Sequence, residues 1–453
     1  MMHPCFIKDQ TVISFASFRK DVAQLRLLIR ATPYQNILLF ESDSYLFSVC
    51  LFSLMLENRH VLLPFNAQEQ SLINLSDLCD ATLGEVSLAQ KPVIPLAASL
   101  LKTTSKNIND LMLNTDELWY QFSLGKVTFF TSGSTGEPKK IVKKGAQLVS
   151  ELETLMITFA TKLKQANIVI SSVSHQHIYG LLFKILLPLK LNLIIVSQFF
   201  EYPEHIVTFL KTLEPSINPQ FLLISSPAHL KRLVLDNVLK TEKNQCVAVF
   251  SSGGLLEKNV SKSFENQMGI APFEVYGSTE TGGIAWRQCS RGIIQFWRLF
   301  TGIEYQQNSE GKLVINSPYL TEQSYITDDL ISVVDENYFE LLGRADRTIK
   351  LEEKRVNLAH VETCLLLHLW VEDVRIITLK QNERTILAAV IELTRLGNNE
   401  VAVHGKLTVN NTLKQHLLGE FERICLPKKW RYVSQLPVNI QGKVVLADLE
   451  QLF

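Results

Sequence analysis

The sequence predicts an α/β fold with a large N-terminal domain of mixed and parallel sheets flanked by helices, and a small α+β C-terminal domain. Three observations carry that reading. The chain has 453 residues, 46% of them hydrophobic, which is more than one ordinary core accommodates. Between residues 126 and 343, short apolar runs alternate with stretches of helical spacing, the order expected of a parallel sheet with helices on its faces. After about residue 345 the pattern becomes helix, hairpin, helix. The boundary falls near Gly343-Arg344-Ala345-Asp346, giving a large domain over 1–345 and a small one over 346–453.

Taken in order, Asn36–Phe40 and Val61–Pro64 suit buried strands, with a helix over Tyr45–Leu56 between them. Val127–Phe130 is a strand feeding a polar loop. Leu148, Val149, Leu152, Leu155, Met156, Phe159 and Leu163 then mark one apolar face of a long helix. Strands follow at Asn167–Ser172, Leu193–Ser197, Phe221–Ser225, Val247–Phe250 and Phe273–Tyr276, and helices at Leu181–Leu187, Ala228–Leu239 and Glu257–Gln267. In the small domain, Leu358–His368 and Leu413–Cys425 are predicted helices. Val374–Leu379 and Ile386–Leu393 are a predicted hairpin, with its turn at Gln381–Arg384. No internal repeat or low-complexity tract occurs.

Lys+Arg and Asp+Glu number 45 each, so net charge gives no argument for nucleic acid or an acidic membrane surface. The seven cysteines are scattered without a Cys-x-x-Cys, which argues against both a disulfide framework and a zinc site and fits a reducing cytosol. The N-terminus does not read as a signal peptide, and the apolar runs at Tyr45–Leu56 and Ile178–Val196 are short or interrupted, so a cytoplasmic protein without integral membrane contact is expected.

Chemistry-bearing residues cluster in several strings. Thr131-Ser132-Gly133-Ser134-Thr135-Gly136-Glu137-Pro138-Lys139 offers hydroxyls, converging backbone N–H groups and a cation with little bulk, which suits a phosphate; a solvated turn has the same composition. It is not the Gly-x-x-x-x-Gly-Lys-Ser/Thr loop. In Tyr276-Gly277-Ser278-Thr279-Glu280, Gly277 permits a sharp turn after a strand, Thr279 offers a hydroxyl to a phosphate and Glu280 a hard oxygen to Mg²⁺. Tyr276 offers a ring to stack on a base, or is a core residue. Ser251-Ser252-Gly253-Gly254 follows a strand and lets a flat group lie against the backbone. Ser174-His175-Gln176-His177-Ile178-Tyr179-Gly180 holds two histidines, which face opposite ways if extended and lack a further metal ligand nearby. Gly442 turns the chain so that Lys443 projects, a point cation able to bridge a carboxylate and a phosphate.

These strings resemble, in order and over residues 127 to 449, the motifs of the acyl-adenylate-forming ligases: the acyl-CoA synthetases, peptide-synthetase adenylation domains and luciferases. The first 125 residues match less clearly. The resemblance implies ATP and Mg²⁺ as cofactors, with Thr131, Ser132, Gly133, Ser134, Thr135, Gly136 and Lys139 on the β- and γ-phosphates. It puts Gly253, Gly254, Tyr276 and Gly277 around adenine, and Asp329 and Arg344 on the ribose or phosphate. It makes Lys443, Thr279, Glu280 and His177 the catalytic set, with Glu280 on the metal. Asp346 matches the hinge about which the family's mobile small domain turns. Three departures stand out: Asp328 replaces a Gly before Asp329, Glu353 replaces a Gly beside the family's thiol tunnel, and Leu446 replaces an Arg.

The resemblance further implies activation of a carboxylic acid to acyl-AMP and pyrophosphate, then transfer to the thiol of coenzyme A or of a carrier protein's phosphopantetheine. No Asp stands where amino-acid-activating members hold an α-amino group, so an aryl or fatty acid is favoured. Two other classes remain open: a catalytically impaired nucleotide-binding relative, and a carrier-protein interaction module using the basic patch Lys428-Lys429-Trp430-Arg431.

Overall fold

The computed structural model describes every residue except 1–2, 97–110, 133–137, 291–292, 352–353, 382–383, 438–443 and 445. The chain divides into two compact units, Met1–Glu304 with Asn316–Tyr325, and Tyr305–Ile315 with Ile326–Phe453.

The first unit is built on two sheets. One runs in the order Val93–Ile94, Ala81–Gly84, Asn36–Phe40, His60–Leu63, Lys126–Ser132, Pro138–Lys144. Its strands are parallel except the last, which turns back antiparallel on Lys126–Ser132. The second carries the parallel strands Ile168–Ser171, Ile194–Val196, Phe221–Ser225, Cys246–Ser251 and Phe273–Ser278. Gly282–Ser290 returns antiparallel on the last of these. Each of the predicted parallel strands is present within a residue or two. The hydrophobic runs that predicted them are buried on both faces, as central parallel strands must be.

Helix ends are marked by side chains. Ser14 accepts from Ser17 N at 3.1 Å to start Phe15–Arg30, and Asp43 accepts from Leu46 N at 2.9 Å to start Ser44–Leu56. Nearly every residue of Ser44–Leu56 is buried, which explains why no polar face interrupts its sequence. The predicted long helix after the loop is Gly145–Thr158 continued by Ala160–Leu163. The predicted Leu181–Leu187 helix contains a π-helical run at Leu181–Leu186.

The second unit contains the paired strands Tyr325–Val333 and Tyr338–Arg344, with Asp329 opposite Arg344. It also holds the short hairpin Thr348–Leu351 and Lys354–Asn357, and the three-stranded sheet Val371–Gln381, Arg384–Leu393, Lys429–Val433. The predicted Leu413–Cys425 helix is displaced. The helix runs Arg395–Leu417, is broken at Gly405 (φ 77°), and gives way to a separate 3₁₀ turn at Arg423–Cys425. The polar stretch before Val409 carries no apolar stripe, so periodicity missed it, while Val409, Leu413 and Leu417 face the core.

Candidate nucleotide and acyl-activation site

The antiparallel return after the phosphate-type loop brings the two principal strings together. In Pro138–Lys144, Ile141 and Lys143 point inward while Lys140, Val142 and Lys144 point outward. Lys139 Nζ lies 2.6 Å from Glu280 Oε1. Lys143 Nζ donates to the backbone carbonyls of Glu280 at 2.7 Å and Tyr319 at 2.9 Å. The string at 131–139 therefore meets the string at 276–280 through Lys139, and Lys143, four residues further along the same strand, adds a second contact. Residues 133–137, the centre of the predicted loop, lie outside the described residues, as does the Ser132 side chain.

Glu280 is ionised. Burial works against its negative charge, but the hydrogen bond and charge of Lys139, with hydrogen bonds from its own backbone and Ser278, outweigh burial and hold its carboxyl below the usual range. Lys139 is held above its ordinary value chiefly by that hydrogen bond. Lys143 is lowered by burial, against the pull of Glu151 and Glu280. An ionised carboxylate with a partly exposed edge is the donor type Mg²⁺ takes, so the residues present fit that ion.

Behind Glu280 stands a support that the motifs do not contain. Glu151, fully buried in the helix Gly145–Thr158, accepts from Gly283 N at 2.6 Å. Burial pushes its carboxyl up to about 7. Gln147 donates to Tyr319 O at 2.9 Å beside Lys143. Sequence reading missed Lys143, Gln147 and Glu151. The available signal was an acid, Glu151, on the same helical stripe as Leu148, Leu152 and Leu155.

The glycine roles change. Gly277 does not make the turn; it continues the strand Phe273–Ser278, where a Cβ would lie 2.2 Å from the Gly282 carbonyl oxygen across the hairpin. The turn glycine is Gly282, at φ +70°, where a Cβ would meet Glu151 Oε2 at 2.7 Å. Ser278 and Thr281 close the turn hydroxyl to hydroxyl at 3.1 Å, with Thr279 and Glu280 half-buried at its tip. Tyr276 is half-buried, its ring 5.3 Å from that of Trp297. Gly253 needs its glycine for φ +87°, and Gly254 is exposed beside it.

His175 and His177 part company. His175 is buried, with Nδ1 3.2 Å from Ser44 Oγ and Nε2 2.7 Å from the Glu41 carbonyl, and burial lowers it to about 3. It is a neutral core residue. His177 is half-buried at the start of the short helix Ile178–Gly180. A Cβ on Gly180 would lie 2.0 Å from Ser174 O, so the segment packs backbone to backbone.

In the second unit, Arg344 faces both acids of the Asp328-Asp329 pair, at 3.9 and 3.7 Å. Lys312 also reaches Asp328, at 3.4 Å. Asp328 lies within the strand Tyr325–Val333 and is not among the positive-φ residues, so its backbone does not require the family's Gly. In the basic patch, Trp430 is buried and Arg431 bonds the Leu452 carbonyl at 2.7 Å, so half of the patch serves packing. Lys443 and Glu353 lie outside the described residues; Asp346 lies in the 3₁₀ turn Ala345–Arg347.

Residues 127–317 match the family of AMP-binding enzymes. The chain is 25% identical over 346 residues to D-alanine–D-alanyl carrier protein ligase of Staphylococcus aureus, covering 70% of this chain and 69% of that protein. Its fold is that of an ATP-bound RpMatB–BxBclM chimera (TM-score 0.82, 16% identity, 100% of this chain and 96% of that one). It is likewise that of O-succinylbenzoate coenzyme A synthetase from Bacillus subtilis with AMP (TM-score 0.76, 14% identity, 99% and 95%). These findings match the acyl-adenylate-forming ligase superfamily. Among the described residues, no helix is long and apolar enough to cross a membrane.

Proposed function

We propose that this chain is an AMP-forming acid–thiol ligase. A carboxylate oxygen attacks the α-phosphorus of ATP, the bond to the β-phosphate breaks, and pyrophosphate leaves with the electron pair. A thiol then attacks the acyl carbon of the mixed anhydride, and AMP leaves. The observation that carries this reading is the 2.6 Å meeting of Lys139 with Glu280, which joins the phosphate-type loop to the Tyr-Gly-x-Thr-Glu string.

The chain's own residues do little covalent work in this scheme; placement and charge suffice. Residues 131–139 cradle the β- and γ-phosphates, and Lys139 lies beside the leaving charge. Glu280, with Thr279, holds the magnesium–phosphate assembly. Bound Mg²⁺ supplies charge neutralisation on the phosphate oxygens. Gly253, Gly254 and Tyr276 flank the base. Asp329 accepts from ribose hydroxyls while Arg344 holds it in register. Lys443 bridges the attacking carboxylate and the α-phosphate, and His177 guards the mouth of the acyl pocket. The division at 345/346 is functional, with Asp346 the hinge on which residues 346–453 move between half-reactions.

The acid is an aryl or fatty acid, and the acceptor is a carrier-protein phosphopantetheine in preference to coenzyme A. The carrier named for the Staphylococcus aureus relative favours the former acceptor. The test is carboxylate-dependent ATP–pyrophosphate exchange over aryl, fatty and amino acids, followed by acyl transfer to coenzyme A and to carrier protein. Lys443→Ala is expected to abolish exchange while ATP binding stays nearly intact; near-normal exchange refutes its role. Asp346→Pro is expected to spare exchange and block thioester formation. Equal survival of both half-reactions would move the hinge elsewhere.

A further inference from the structure

The second unit holds a group of ligand-type side chains outside everything described above. His360 and Cys364 stand four residues apart on the helix Leu358–Leu366 and so share one face. Glu420, in the turn after the helix ending at Leu417, faces both. Its Oε2 lies 3.1 Å from His360 Nε2 and 3.1 Å from Cys364 Sγ. The three ligand atoms lie within 4.8 Å of one another, and among the described residues this is the one such group of three.

The group forms a cup. The His360 and Glu420 side chains are 53% and 55% exposed at its rim, while Cys364 is buried at its floor. Two further contacts limit its freedom. His416 Nε2 meets the Cys364 carbonyl at 2.9 Å, and the His360 ring lies 4.9 Å from that of Phe421. An ion can therefore enter from solvent and meet three donors whose backbones are already held.

We propose that His360, Cys364 and Glu420 bind one thiophilic divalent cation of the zinc class, with a water in the fourth position. A thiolate, an imidazole and a carboxylate are the donors zinc takes, and Mg²⁺ does not seek sulfur. Bonds of about 2.0–2.3 Å place neighbouring tetrahedral ligands about 3.3–3.6 Å apart. The two 3.1 Å separations need only open by a few tenths of an ångström, and the third edge closes by rotation of the exposed imidazole. Binding releases the thiol proton to solvent and replaces the Cys364–Glu420 hydrogen bond with two metal bonds. The bound ion ties the helix Leu358–Leu366 to the end of Arg395–Leu417. This site is independent of the ligase reading and stands or falls separately.

The test uses the full chain, stripped with chelator and titrated with Co²⁺ and then Zn²⁺. One equivalent of Co²⁺ should give a thiolate-to-cobalt charge-transfer band that Zn²⁺ displaces, and the thermal midpoint should rise with Zn²⁺. Cys364→Ser should remove the band. Glu420→Gln changes an exposed side chain, and should keep the metal-free melting point while weakening zinc binding by at least about tenfold. A stripped protein that shows no stoichiometric band, or a band unchanged in Cys364→Ser, overturns the site.

Discussion

The junction at Glu280 and the carboxylate pair at Asp328-Asp329 both set acid against base, and they are built differently. At Glu280 the cations come from a strand 137 to 141 residues away, and one of them, Lys143, is buried against two carbonyls. Glu151 and Gln147 brace the hairpin from behind. At Asp328-Asp329 the residues of the motif meet only at 3.7–3.9 Å, and Arg344 is about half exposed. Ion pairs of the second kind contribute little to stability and are screened by salt. The first kind fixes geometry through its neighbours. The Lys139–Glu280 junction of the first unit is thus braced from behind by buried groups, whereas the Asp328-Asp329 pair of the second unit faces its arginine through longer, more exposed ion pairs.

Substitutions can break or sharpen that contrast. The largest expected effect is at the supported end: Glu280→Gln should lower pyrophosphate exchange by about a hundredfold or more, mostly in kcat. At the exposed end, Arg344→Ala should cost about tenfold, mostly in KM for ATP, and less as salt rises. Equal losses at the two positions would erase the distinction. For stability, Gly282→Ala forces a Cβ to within 2.7 Å of Glu151 Oε2 at a φ of +70°. It should destabilise the fold by about 1–3 kcal/mol, read as a lower thermal midpoint.

The smallest effect concerns pH. Glu151 titrates near 7 in the folded chain because it is buried, against about 4.3 for a free Glu. Between those values the folded state binds the extra proton, so this group's contribution makes stability fall as pH rises through that window. Glu151→Gln should flatten that part of the profile, as measured by thermal midpoints from pH 4.5 to 7. An unchanged slope would mean that Glu151 does not carry it.

Much of this contrast was legible in the sequence. The strands Phe221–Ser225 and Cys246–Ser251 announce themselves because they are buried on both faces and read as apolar runs. The motif residues at 276–280 and 328–344 announce themselves by type. The strand Pro138–Lys144 does not, because its alternation is carried by lysines, one of which turns inward to bond carbonyls. Gly277 and Gly282 stand five residues apart in the sequence, and only the close approach across the hairpin tells which makes the turn. Glu151 looks like a helix-surface acid until the backbone N–H of Gly283 is placed against it.

The most direct measurement is ATP–pyrophosphate exchange over a panel of carboxylic acids, run side by side on the natural chain and on Glu280→Gln. The natural chain should exchange with at least one acid, and the variant should lose about a hundredfold or more of that rate. A natural chain that binds ATP yet exchanges with no acid, or a variant that exchanges at the full rate, would contradict the ligase reading.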